Sequence, residues 1–252
     1  MQAASPDAIA RQVAAGGGAT GPAQGGNASG WPWRLSLALL AMAAGLAGLA
    51  QCAGDRLARA GHSADASPHE VVVGNDVLVV PTNMIRFGAQ RRAASAERLD
   101  LYLHWPTLSG YSDGLSAAFS AAGIDPSILF LTVEPRQTSL DMSGRAGPLY
   151  GKFLVGEAAN AGFGLSRRAL SAAAGFVDED LFYEAEAGHP FVARCVRAGA
   201  PAMAAYCMRD IHVGRSLSLT YRFHLSLMAD WRRLEAAMRH LAAAMLAGGA
   251  DG

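Results

Sequence analysis

Residues Leu217–Gly249 read LSLTYRFHLSLMADWRRLEAAMRHLAAAMLAGG. The opening part, Leu217 to Phe223, is a strand candidate, and the period then changes. Leu227, Trp231, Leu234, Met238, Leu241 and Met245 recur at spacings 4-3-4-3-4, which places them on one face of an α-helix. Ser226 is positioned to cap the helix, and Gly248-Gly249 ends it. Asp230, Arg233 and Arg239 lie away from the apolar seam. The seam is shorter than the run of heptads a coiled coil needs, so the helix is expected to dock on its own sheet and bury Trp231 and Leu234. The alternative is a dimer or partner helix.

Working upstream, strand patterns dominate. Glu70–Pro81, EVVVGNDVLVVP, is two β-branched runs split by Gly-Asn-Asp and reads as a hairpin. Asn83 to Phe87 reads as strand or short helix. Leu99–Trp105 alternates, with Leu99, Leu101, Leu103 and Trp105 on one side and Asp100, Tyr102 and His104 on the other. That predicts a strand buried on one face only. Leu115–Ala122 predicts a short helix, Ile128–Glu134 a central strand, and Met142–Leu154 a turn or two of helix in which Asp141 and Arg145 can pair. Leu181–Glu184, Phe191–Val196 and Tyr206–Val213 are further short strands joined by Gly, Ala and Pro, a spacing that favours antiparallel neighbours. The fold class is therefore α+β: a mostly antiparallel sheet domain over residues 70–249 with a C-terminal amphipathic helix.

The N-terminal part has another character. Trp31–Gly54, WPWRLSLALLAMAAGLAGLAQCAG, carries no charge from Leu35 onward. As a helix, that uncharged part rises about 30 Å, the thickness of a bilayer's hydrocarbon core. Trp31 and Trp33 flank one end and Asp55-Arg56 the other, so residues 31–54 read as a single transmembrane helix of the signal-anchor kind. A cleaved signal peptide would use Gly48-Leu49-Ala50 ahead of Gln51, but behind an n-region of over thirty residues with only two arginines. A lipoprotein would use Cys52, yet the preceding Gln51 is not small. Ala41/Gly45 and Ala44/Gly48 permit close helix contact, as in a homodimer. Residues 1–30, almost all Ala, Gly, Ser, Gln and Pro, are expected to be disordered, and residues 55–69 to form a polar linker. A short polar tail before the span and a long domain after it place the tail in the cytoplasm and the domain in the periplasm, although Arg56 and Arg59 beyond the span outnumber Arg34 before it.

Formal net charge is zero, and the basic residues occur as scattered singles and doublets such as Arg91-Arg92 and Arg232-Arg233. No basic face with interleaved aromatics suggests nucleic-acid binding. Cys195 and Cys207 lie in two strand candidates joined by a short turn, where neighbouring antiparallel strands can bring the sulfurs together as a disulfide. An exported domain favours that bridge; in a reducing compartment the two would be buried thiols.

Several phrases carry a resemblance: VGNDVLVVPTNMIRFGAQRR (73–92), ERLDLYLHWPTLSGYS (97–112), ILFLTVEPR (128–136), LDMSGR (140–145), PFVARC (190–195), CMRDIHVG (207–214) and LSLTYRFHLSLMADWRRLEAAM (217–238). Over about residues 70–246 the chain resembles a family of alphaproteobacterial transmembrane-anchored envelope proteins. The resemblance implies one N-terminal span and a C-terminal envelope domain; it brings no catalytic residues.

Motifs for chemistry are sparse. Gly110-Tyr111-Ser112-Asp113-Gly114 matches the G-x-S-x-G pattern of a nucleophile elbow, with Asp178 or Asp180 and His189 or His212 as candidate partners. Against it, Pro106-Thr107-Leu108-Ser109 separates the motif from its strand, and the βα units that precede such a serine are missing. Cys195, Cys207 and His212, with His189 as a fourth ligand, lack the spacing of a zinc site. Asp178-Glu179-Asp180 reads as a solvated loop, and the Ala161-Gly-Phe-Gly-Leu loop lacks the Lys-Ser/Thr of a phosphate cradle. No metal or cofactor is expected. The sequence favours a membrane-anchored, non-enzymatic binding or scaffold domain with an envelope protein partner or a second copy; the alternative is an anchored hydrolase using Ser112.

Overall fold

Helix α1 spans Trp31–Arg59, with Pro32 in its first turn, where a missing N–H costs nothing. The computed structural model to which it belongs describes residues 31–59, 61–121, 125–185, 189–197, 199 and 205–248. The expected disorder of residues 1–30 lies outside these. The chain divides into two units, residues 1–52 and 53–252. In the first, Trp33–Ala50 has a mean hydropathy of 1.6 and none of it is buried, so the helix is long and apolar enough to cross a membrane. It continues past Gly54 to Arg59, and the next strand starts at Pro68, so residues 55–59 are helix rather than linker and residues 61–67 are the described part of the connection.

The second unit is α+β. Its elements are β1 (Pro68–Val73), β2 (Asp76–Pro81), β3 (Ser95–Ala96), β4 (Leu99–His104), α2 (Ser116–Ser120), β5 (Ile128–Pro135), α3 (Met142–Arg145), β6 (Leu154–Gly162), β7 (Leu165–Leu170), β8 (Glu179–Tyr183), β9 (Val192–Val196), β10 (Tyr206–Val213), β11 (Leu217–His224) and α4 (Trp231–Gly248). Eight strands form one sheet in the order β4-β5-β11-β10-β9-β8-β7-β6, with every neighbouring pair antiparallel. In a small second sheet, β2-β1-β3, β1 pairs with β3 in parallel. The β1–β2 hairpin turns at Gly74, whose φ of +61° a side chain would resist.

Alternation decides which face is buried. Leu217, Leu219, Tyr221 and Phe223 on β11 share a face with Leu131 and Val133 on β5 and with Leu99 and Leu101 on β4. Trp231, Leu234, Met238, Ala242 and Met245 of α4 close over that face with no more than 5% exposure, so the helix docks on its own sheet. Leu227 and Leu241 lie at the border, partly buried. The start of the helix differs from expectation. Leu225–Asp230 is a 3₁₀ turn, and the His224 ring, not Ser226, caps it by accepting the Ser226 N–H at 3.2 Å.

A buried ion pair fixes α4 on the sheet. Arg209 on β10 points into the core, 1% exposed, and grips Glu235 of α4 through Nε at 2.8 Å and Nη2 at 3.0 Å. Its Nη1 donates to the Val192 carbonyl at 2.9 Å, and the Tyr221 hydroxyl donates to Glu235. Burial pushes the Glu235 carboxyl up, but the hydrogen bonds and charge of Arg209 outweigh it, and the pKa falls to about 2.

The sheet's second face is covered in two places. Tyr102, Tyr111, Phe119 and Ile128 pack together at the β4–β5 end, and Met142, Tyr150, Leu170, Leu181 and Val192 pack over β7–β9. This cover corrects the one-sided reading of β4. Tyr102 is buried under α2, and Asp100 is buried with Arg98 Nε at 3.0 Å, Thr132 Oγ1 at 3.0 Å and Gln90 Nε2 at 3.1 Å.

Candidate functional site

The Ser112 motif is explained by packing. Tyr111 N–H donates to the Asn83 carbonyl at 2.9 Å, and Asn83 Nδ2 returns a bond to the Tyr111 carbonyl at 3.0 Å. A Cβ on Gly110 would lie 2.6 Å from Asn83 backbone atoms, so this close crossing requires glycine. Ser112 is extended (φ −144°, ψ 161°) and leads into a 3₁₀ turn, without the strained strand-to-helix corner of a nucleophile elbow. Three of its four nominated partners are engaged elsewhere. His189 Nε2 meets Asp141 Oδ2 at 3.2 Å, Asp180 pairs with Arg197 at 2.8 Å and Arg167 at 3.5 Å, and Asp178 lies 3.9 Å from Arg197. The acidic run is therefore not a solvated loop: Glu179 and Asp180 open β8, and Asp180 is buried.

Asp141 and Arg145 also find other partners than each other. Asp141 caps α3 by accepting the Gly144 N–H at 3.0 Å, and Arg145 pairs with Asp210 on β10. His212, two residues along β10, is held below its ordinary pKa by burial and by the positive charge of Arg136. The cluster ties α3 to the sheet.

Cys195 and Cys207 stand directly opposite each other on β9 and β10 and form a disulfide, with Cα atoms 4.0 Å apart. Both sulfurs are thereby committed and cannot serve a zinc ion. Among the described residues, no three His, Cys, Asp or Glu side chains group as metal ligands.

The surface feature that sequence reading missed is the β6–β7 hairpin tip. Gly162 pairs with Leu165, leaving Phe163-Gly164 as a two-residue turn with φ values of +56° and +78°. Two successive positive φ angles belong to a type I′ turn, whose first position normally takes Asn, Asp or Gly. A phenylalanine there costs about 1–2 kcal/mol in backbone conformation. The turn is nevertheless held: the Phe163 carbonyl accepts Trp231 Nε1 at 3.0 Å and Arg232 Nη1 at 3.0 Å. Its roots, Ala161 and Leu165, pack in the core, while the Phe163 ring stands 56% exposed. The Phe163 carbonyl thus meets the start of α4, whose outward residues include the exposed Arg232, Arg233, Arg239 and His240. An F-G pair between two apolar strand residues is the signal that identifies such a tip, but the flanking residues of β6 hide it.

No family model and no curated protein matches the chain. Among solved structures, it is similar to an immunity protein of the Stenotrophomonas maltophilia type IV secretion system, at 16% identity and a TM-score of 0.50, covering 71% of this chain and 93% of that one. It is also similar to the iron-regulated outer membrane lipoprotein FrpD of Neisseria meningitidis, at 10% identity and a TM-score of 0.48, covering 73% of this chain and 95% of that one. At 16% identity the first likeness is one of fold, and the fold it supports is the α+β arrangement of sheet and C-terminal helix.

Proposed function

We propose that this chain is a single-pass protein of the bacterial inner membrane, held by residues 31–54, whose periplasmic domain is a non-enzymatic binding module for another envelope protein. The observation that carries the reading is the Cys195–Cys207 disulfide in a domain that follows a wholly exposed apolar helix. Such a bridge persists in an oxidising compartment, and the helix supplies the route there. The fold likeness to a secretion-system immunity protein supports a binding role, and the resemblance to alphaproteobacterial transmembrane-anchored proteins supports the anchor. The candidate partners Asp178, Asp180 and His189 are occupied in structural contacts, which supports binding over hydrolysis at Ser112.

Two measurements test the proposal. An alkaline phosphatase fused after Gly252 is expected to be active, and an inactive fusion at normal expression would reverse the topology. A serine-hydrolase probe is expected to label wild type and Ser112→Ala equally weakly; labelling that vanishes with the substitution would establish the hydrolase instead.

A further inference from the structure

Resting on the binding-module reading, we infer that the Phe163 tip and the adjoining arginine face of α4 form the docking surface, and that it takes an acidic protein with an apolar pocket for the Phe163 ring. Phe163 is more exposed than most large apolar side chains of the folded unit, and it sits where the backbone disfavours it. Two hydrogen bonds to its carbonyl hold the tip in place, so a ring presented this way loses little freedom on binding. An exposed aromatic side chain with an arginine, Arg232, at its turn has the composition of an interface hot spot.

Charge selects the partner. The outward residues from 230 to 244 include Arg232, Arg233, Arg239 and His240 against Asp230 alone. Arg239 has Glu235 at 2.6 Å and Arg232 has Glu184 at 3.9 Å, while Arg233 stacks on Trp105 at 5.2 Å and, among the described residues, forms no ion pair. A second copy would bring like charges face to face, which opposes a symmetric dimer here. A lipid surface is opposed by the remaining residues of the face, Ala236, Ala243 and Ala244, which offer too little apolar area for insertion. An acidic protein satisfies both the ring and the arginines.

The test places a photoreactive benzoylphenylalanine at position 163, and separately at exposed Phe87 as the comparison site, in the full chain in its own membranes. The expected result is an adduct from position 163 to another protein, mapped to a peptide rich in Asp and Glu. Its yield should fall about tenfold with Arg233→Glu, in protein whose circular dichroism and melting are unchanged. An adduct from position 87 alone overturns this surface and leaves the binding-module reading standing. An adduct to the chain itself, or only to lipid, overturns the acidic protein partner. No adduct from either position overturns the surface and the reading together.

Discussion

Glu235 shows what one residue does in this core. Its carboxylate grips the buried Arg209 through two hydrogen bonds, and the pair bridges α4 to β10. Glu235→Gln is expected to cost about 3–5 kcal/mol in chemical unfolding of the detergent-solubilised chain, because an uncompensated guanidinium stays buried. Its folded pKa is depressed to about 2 from 4.5, so the unfolded chain binds the proton first on acidification. The contribution is therefore complete above 4.5 and is lost as pH falls toward 2; the Gln variant should show a flatter acid limb in that window. His62 behaves in the same direction. It lies parallel to Tyr111 at 4.7 Å between centroids and hydrogen-bonds the Tyr102 hydroxyl at 2.8 Å, with burial first and Arg91 second lowering its pKa. The neutral ring is the bound form, so its contact should be full above about pH 6.5 and weaken below it. NMR titration of the His62 ring checks this: a midpoint at or above the ordinary histidine value would contradict it.

At the scale of elements, legibility followed burial. The α4 seam was readable because one face of a helix must repeat every three or four residues to stay buried, and Trp231, Leu234, Met238 and Met245 do. Trp231→Ala should cost about 3–5 kcal/mol by urea unfolding, since it removes the packing on Phe191 and the bond to Phe163. The strands β8, β9, β10 and β11 were readable for the same reason. The β6–β7 hairpin was not. β6 is an edge strand, exposed almost throughout, so nothing imposes alternation, and Val155–Gly162 (VGEAANAG) has weak β preference. Gly156 at φ +69° and the register shifts add bulges that break the period further. The Phe163 tip, the one part of the proposed surface that composition does not announce, went with it. Its strain gives a test independent of any partner: Phe163→Asn should raise stability by about 1 kcal/mol, read as a higher melting temperature. A loss of stability would mean that the ring packs on the domain.

In the whole molecule, an apolar helix fit to cross a membrane precedes an α+β domain stapled between β9 and β10. The fold class and the helix emerged from sequence patterns, whereas the second-face clusters did not, because they depend on how distant loops cover the sheet. The disulfide encloses a short segment, its cysteines 12 residues apart, and should add about 3 kcal/mol under the chain-entropy view. Its redox state in the cell also reports the compartment. Membranes should be alkylated on lysis, before any reduction, and the tryptic peptides carrying Cys195 and Cys207 then read by mass spectrometry. The account predicts that these peptides are recovered linked to each other and unalkylated until reductant is added. Recovery of both cysteines free and alkylated would contradict a domain on the oxidising side of the membrane.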